Sequence, residues 1–346
     1  MGHYRLADLP SLLSEYQIGF IDPHGVYFSD EDCKRTGKRW RLREDSADIE
    51  RIPDQFNPFK GIFDCNDEVF SQGRYNGTLF RFPLRSSSSK LSDTLYTAEK
   101  VETLFESFKA DAHLMLVFLQ HLESIELYVK EENDCSHRRV FQVKIVDESL
   151  QTVRAKREEF RSKITPGKVA SDSITVTYPI TIETVDFDLP SETNKKKHSF
   201  LVTNYFSGGQ VSSTFKKLMT DKVLSYLPMV GVAMALPTGP RLQTPDIKGH
   251  VFCFLPLPVQ KASLTGLPVH VNGFFALNQN RRYIKSPNAE QEEGGRQLTD
   301  KSLLWNKCLL EEAIPRAYAT MILEAIKEKV VFVPKVAIYK YVLKHL

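Results

Sequence analysis

The chain is poor in the features that usually announce a chemistry. Its five cysteines, Cys33, Cys65, Cys135, Cys253 and Cys308, are odd in number and far apart, with no C-x-x-C pair. That spacing argues against a disulfide framework and a zinc site, and for a reducing compartment, the cytoplasm. No apolar run approaches the roughly 18 residues that span a bilayer. The opening MGHYRLADLPSLL has no apolar stretch of the kind a secretion signal carries. The sequon Asn76-Gly77-Thr78 is therefore expected to be unused. An excess of one charge is missing too: 46 basic residues face 43 acidic ones, for a net charge of +3. Nothing in that balance calls for a nucleic acid or an anionic membrane as partner. G-x-S-x-G, H-E-x-x-H and a Walker-type glycine loop are all absent, as are internal repeats and heptads. The expectation is a chain that is not an enzyme.

What is present is a chain with room for real cores. At 346 residues and 42% hydrophobic content it is long enough for two domains. Short strands are expected at Ile18–Ile21, stopped by Asp22-Pro23, and at 37–42, followed by a loop at 53–63 whose phenylalanines anchor it. A helix begins near Thr97, with Val101, Leu104, Phe105 and Phe108 on one face and a break near Asp111. A hairpin follows, then a polar helix or connector over 151–167. The domain change is placed there, giving domains 1–147 and 148–346. Beyond it lie strands at 173–187 and 198–206 joined by a solvated SETNKKK turn, a helix at 211–226, three further strands, and a helical segment from Asp300 with a kink before Pro315. Strands mixed with helices in both halves imply an α+β or α/β layer architecture.

Few residues stand out as candidate sites. Asp22-Pro23-His24 reads as a strand-ending turn. His113 and His121, on the first long helix, lack a carboxylate cluster and read as ordinary surface or satisfied histidines. The adjacent Arg281 and Arg282, in ALNQNRRYIK, follow a strand. Paired guanidiniums there suit either a solvated surface or a phosphate clamp. The stretch GRYNGTLFRFPLR, Gly73 to Arg85, opens with the turn signal Asn76-Gly77 and runs into alternating aromatics. It reads as a hairpin, as a sequon or as part of a nucleotide pocket.

Several longer stretches carry a resemblance: LADLPS, FIDPH, PDQFNPFKGIF, YNGTLFRFPLR, LFESFKADA, GLPVHVNGFFALNQNRR and LTDKSLLWN. In order and across nearly the whole chain, they resemble the repeated module of the sacsin family. The resemblance implies the C-terminal part of a Bergerat-type (GHKL) α/β sandwich, like that of the ninety-kilodalton heat-shock chaperone, followed by a second mixed α/β domain. It matches Thr78 to the family's late-strand threonine near adenine, with Gly77 allowing close approach of the backbone. It matches Arg281 or Arg282 to a cation that reaches the terminal phosphate from the second domain. The alternating aromatics of the Thr78 strand are expected to pack its sheet against helices. The sequence departs from the family pattern at its front. The early helix, the Asp-x-Gly-x-Gly turn and the glycine lid expected just before Tyr4 are not in it. The expectation is therefore a chaperone or co-chaperone module without bound cofactor, ATP and magnesium belonging to an intact family module. Its partners would be proteins, the seventy-kilodalton heat-shock chaperone and client proteins among them, with self-association through uncovered apolar surface. The alternative is an ATP-dependent chaperone ATPase whose nucleotide motifs lie outside this sequence.

Overall fold

The computed structural model describes residues 7–30, 33–131, 136–164, 171–236, 248–258, 264–279, 281–285 and 300–327. It is a mixed α/β chain with two sheets, and the chain divides into two compact units. The first comprises Met1–Lys109 and Tyr128–Arg138, the second Ala110–Leu127 and Arg139–Leu346. Among the described residues no helix is long and apolar enough to cross a membrane.

In the first unit, β1 (Ser11–Glu15), β2 (Gln17–Ile21), β3 (Gly37–Arg41) and β4 (Tyr75–Arg81) form an antiparallel sheet of order β3-β2-β1-β4. Short helices α1 (Ser46–Arg51), α2 (Pro53–Phe56) and α3 (Asp67–Gln72) lie between β3 and β4 in the chain. Proline opens α2, where its missing N–H costs nothing. Asn66 caps α3 by accepting from the Val69 N–H, and Gly73 ends it in the left-handed conformation. The core is aromatic. Phe20, Trp40 and Phe56 meet edge to face with centroids 5.6 to 6.0 Å apart, the geometry that ring quadrupoles favour. Phe56 and Phe59 anchor the 53–63 segment there, as expected, whereas Phe63 stays exposed.

Asn76-Gly77 does not turn the chain. Thr78 pairs with Ser14 and Tyr75 with Glu15, so Asn76 and Gly77 are extra residues in β4, a bulge, with Gly77 at a φ of 152°. The expected packing of this strand's aromatics is also reversed. Leu79 faces the core, and Phe80 is 64% exposed on the other face.

Helix α4 (Ala98–Phe118) runs unbroken through Asp111, and β5 (Ser124–Val129) and β6 (Arg138–Ile145) follow it. Then come α5 (Asp147–Lys163), β7 (Ile174–Asp186), β8 (Lys195–Phe206), α6 (Ser213–Met219), β9 (Met229–Leu236), β10 (Val251–Cys253), β11 (Leu255–Pro256) and β12 (His270–Gly273). The second sheet has the order β11-β10-β12-β9-β8-β7-β6-β5. The lysines of the SETNKKK segment belong to β8 rather than to a turn, and the helix expected over 211–226 is shorter.

The last helical segment is α7 (Lys301–Cys308), one π turn (Leu309–Ala313) and α8 (Ile314–Lys327). The π turn sits just ahead of Pro315, which has no N–H to donate and crowds the carbonyl four residues back. Trp305 of α7 is fully buried and donates its indole N–H to the Phe274 carbonyl at 2.8 Å. It belongs to a core with Leu201, Val230, Val232 and Met321. The sheet's other face carries Phe118 of α4 against Gly231 and Phe252.

Candidate functional site

The sheet of the first unit has one covered face and one open face. Strand pairing aligns Leu13 with Ile18 and Leu79, and Ile18 with Trp40, and these side chains belong to the core. The intervening residues point the other way, since successive strand residues alternate. There Leu12 stands between Gly19 and Phe80, and Ile21 lies further along β2. A side chain at Gly19 would meet nothing nearer than the Lys38 carbonyl at 3.9 Å, so the middle of this face is open. A shallow cavity of about 590 Å³ lies over it, with Leu12, Ser14, Gly19, Ile21 and Arg39 in its lining. Phe80 stacks on Phe82, with centroids 6.3 Å apart and planes within 7°.

Thr78 belongs to the same face. Its hydroxyl lies 2.8 Å from that of Ser14, directly across the ladder, and both groups can donate or accept. Thr78 is exposed, as is Gly77 beside it. On this face the hydroxyl pair of Thr78 and Ser14 is the polar group that β4 sets opposite β1.

Arg281 and Arg282 lie in the second unit on a tight turn. The Asn278 side chain builds that turn by accepting from the Arg282 and Tyr283 N–H groups at 3.0 and 3.2 Å. Arg281 has a φ of 55°, and its own N–H donates to the Asn278 carbonyl. Asn306 of α7 holds the flanking segments by donating to the Ala276 and Lys285 carbonyls and accepting from the Ala276 N–H. Both arginines are exposed, and the turn is fixed by backbone and amides rather than by their guanidiniums. Gly77 and Thr78 belong to the first unit and the two arginines to the second.

The remaining sequence candidates have structural roles. Asp22 accepts from the Tyr27 and Phe28 N–H groups and organises the turn that ends β2. Burial pushes the Cys65 and Cys308 thiols up to about 11, so neither is a poised nucleophile. His113 is not an ordinary surface histidine. It stacks on His198 with centroids 4.1 Å apart, beside a second stacked pair, His250 and His270. Sequence reading passes over this group because its members lie on separate elements with no spacing in common; the packing of α4 on the sheet and the pairing of its strands bring them together.

Residues 2–142 match the family model described as Sacsin domain. The chain is also similar to human sacsin, with 39% identity over 336 residues, which is 94% of this chain and 7% of that protein.

Proposed function

The chain carries a sacsin-family module, and from that premise we propose a chaperone or co-chaperone module that acts through protein–protein contacts without binding ATP of its own. The observation that carries this reading is the open outer face of the first sheet, where Leu12, Ile21 and Phe80 stand among Ser14, Gln17, Thr78 and Arg39 around the open position at Gly19. Exposed apolar side chains set among hydroxyls and guanidiniums suit an apolar segment of a partially unfolded protein together with its polar neighbours. Burying one phenylalanine side chain contributes about 1.5–3 kcal/mol. We read the first unit as the C-terminal part of a Bergerat-type sandwich; an antiparallel sheet with an aromatic core on one face supports that reading. Its location would be the cytoplasm, and its partners client proteins and the seventy-kilodalton heat-shock chaperone. The chain spans 7% of the length of human sacsin, and these roles are proposed for the module alone.

The test is suppression of aggregation of a chemically unfolded model client, followed by light scattering. The expected result is suppression by the chain, weakened about tenfold to a hundredfold by Phe80→Ser, in line with the loss of one buried phenylalanine. The variant's thermal midpoint should be unchanged, because Phe80 is not in the core. Equal suppression by both proteins, or none by either, overturns the reading.

A second reading, an ATPase completed by nucleotide motifs outside this sequence, is favoured by one observation: the Thr78 hydroxyl is exposed on the sheet's outer face. It differs in requiring nucleotide affinity once such motifs are supplied.

A further inference from the structure

The second unit holds a cavity that neither reading uses. Its volume is about 360 Å³, within the range of roughly 300–1,000 Å³ typical of small-molecule sites. Four imidazoles meet there from four places in the chain: His113 in α4, His198 in β8, His250 just before β10, and His270 opening β12. They stand as two stacked pairs, 4.1 Å apart for His113 and His198 and 5.6 Å for His250 and His270. Four of the chain's nine histidines thus share one cavity.

Three ligand chemistries can be weighed. A metal ion needs ring nitrogens that converge on one point, and among the described residues no three His, Cys, Asp or Glu side chains are placed to hold one. A proton switch needs rings that titrate near neutrality. Burial and the neighbouring imidazoles hold His113 down to about 3 and His270 to about 4, so both remain uncharged. An anion needs donors and positive charge without competing carboxylates. Lys248 lines the cavity, and burial together with Lys196, on the same face of β8, disfavours the charged form of His198; Lys197 reaches the cavity rim from a strand position that faces the other side of the sheet. Asp111 is the only acid in the described lining. Glu183 stands opposite Lys197 in the ladder without closing an ion pair. None of the three lysines has an ion-pair partner among the described residues.

The hydrogen bonding of the rings agrees. The His270 Nδ1 accepts the His250 backbone N–H at 3.1 Å, so the proton of this neutral ring sits on Nε2, a donor. The His250 Nδ1 is buried and has no partner.

We propose that this cavity binds a phosphoryl group, held by the ammonium groups of Lys196 and Lys248 and by the Nε2 N–H of His270. A tetrahedral oxyanion offers several acceptor oxygens to donors that arrive from β8, β12 and the segment before β10, and its charge offsets that of two ammoniums. The site lies within the second unit and does not depend on the role proposed for the first.

The test uses the full chain and calorimetric titration with inorganic phosphate, a nucleoside monophosphate, acetate and zinc chloride in separate arms. Saturable phosphate binding is expected, with acetate at least about tenfold weaker. The Lys196→Ala, Lys248→Ala double variant should lose at least about tenfold in affinity at an unchanged thermal midpoint. If that variant fails to fold, the wild-type proton spectrum decides: phosphate must shift the ring resonances of His250 and His270. Tighter binding of the monophosphate than of phosphate would make a phosphorylated metabolite the occupant, and equal binding would make it free phosphate. No saturable binding, unshifted histidine resonances, equal affinity for acetate, or a preference for zinc each overturns the proposal.

Discussion

Arg85 is 4% exposed yet carries a permanent charge. Its Nε and Nη2 donate to the Asp8 Oδ1 at 2.9 and 2.6 Å, and its Nη1 donates to the Thr94 carbonyl. Ser89 donates to the same Asp8 oxygen at 2.7 Å. This one group ties the residues before β1 to the loop after β4. Removing the carboxylate takes the ion-pair partner from a buried guanidinium that keeps its bond to Thr94, so Asp8→Ala should lose about 1.5–3 kcal/mol, the worth of a hydrogen bond to a charged group, read from the urea midpoint. The hydrogen bonds from Arg85 hold the Asp8 carboxyl below its ordinary 3.8 against the opposing effect of burial, with Ser89 adding to the shift. A depressed carboxylate stabilises the fold above its unfolded value, and that stability is lost as the pH falls from about 3.8 through the folded value. Asp8→Asn should therefore flatten the acid limb of the stability profile below that pH. A limb as steep as that of the wild type would contradict this assignment.

Among the elements, the end of α4 is the best defined. Buried Arg157 of α5 donates to the Leu116 carbonyl at 2.9 Å, and Arg161 donates to the Gln120 carbonyl at 3.2 Å. The last carbonyls of a helix lack partners of their own and carry partial negative charge, so a guanidinium belongs there. Arg157→Met should cost about 1.5–3 kcal/mol, the worth of a hydrogen bond to a charged group. Arg154→Ala, which removes only an exposed pair with Glu123, should leave the midpoint essentially unchanged. Equal losses in the two variants would argue against the clamp. These elements also mark what sequence can disclose. The alternating pattern of β7 and the first-turn acids and last-turn bases of α5 are visible in the letters alone. The bulge at Asn76-Gly77 is not, because the same dipeptide also makes hairpin turns and only its pairing with β1 decides between them. The direction in which Phe80 points depends on that bulge, so the open face could not be read from alternation. The histidine cavity was hidden for a similar reason: the packing of α4 and the register across β8, β9 and β12 set it, and periodicity along one segment does not.

At the scale of the whole molecule the account rests on the two units having separate work. In the first, Thr78 offers one exposed hydroxyl, worth about 0.5–1.5 kcal/mol in a hydrogen bond, whereas micromolar affinity needs about 8 kcal/mol. Any heat in a titration of the chain with ATP and magnesium should therefore come from the second unit. The exchange footprint of the first unit should also be the same with and without ATP. A footprint on β4 would support the ATPase reading instead. The central claim, that the open face of the first sheet receives protein segments, is tested most directly by hydrogen–deuterium exchange of the full chain with and without a bound unfolded client. The account predicts slowed exchange over residues 11–21 and 75–82, lost in Phe80→Ser, with residues 136–164 unaffected. Protection confined to the second unit, or no protection at all, would contradict it.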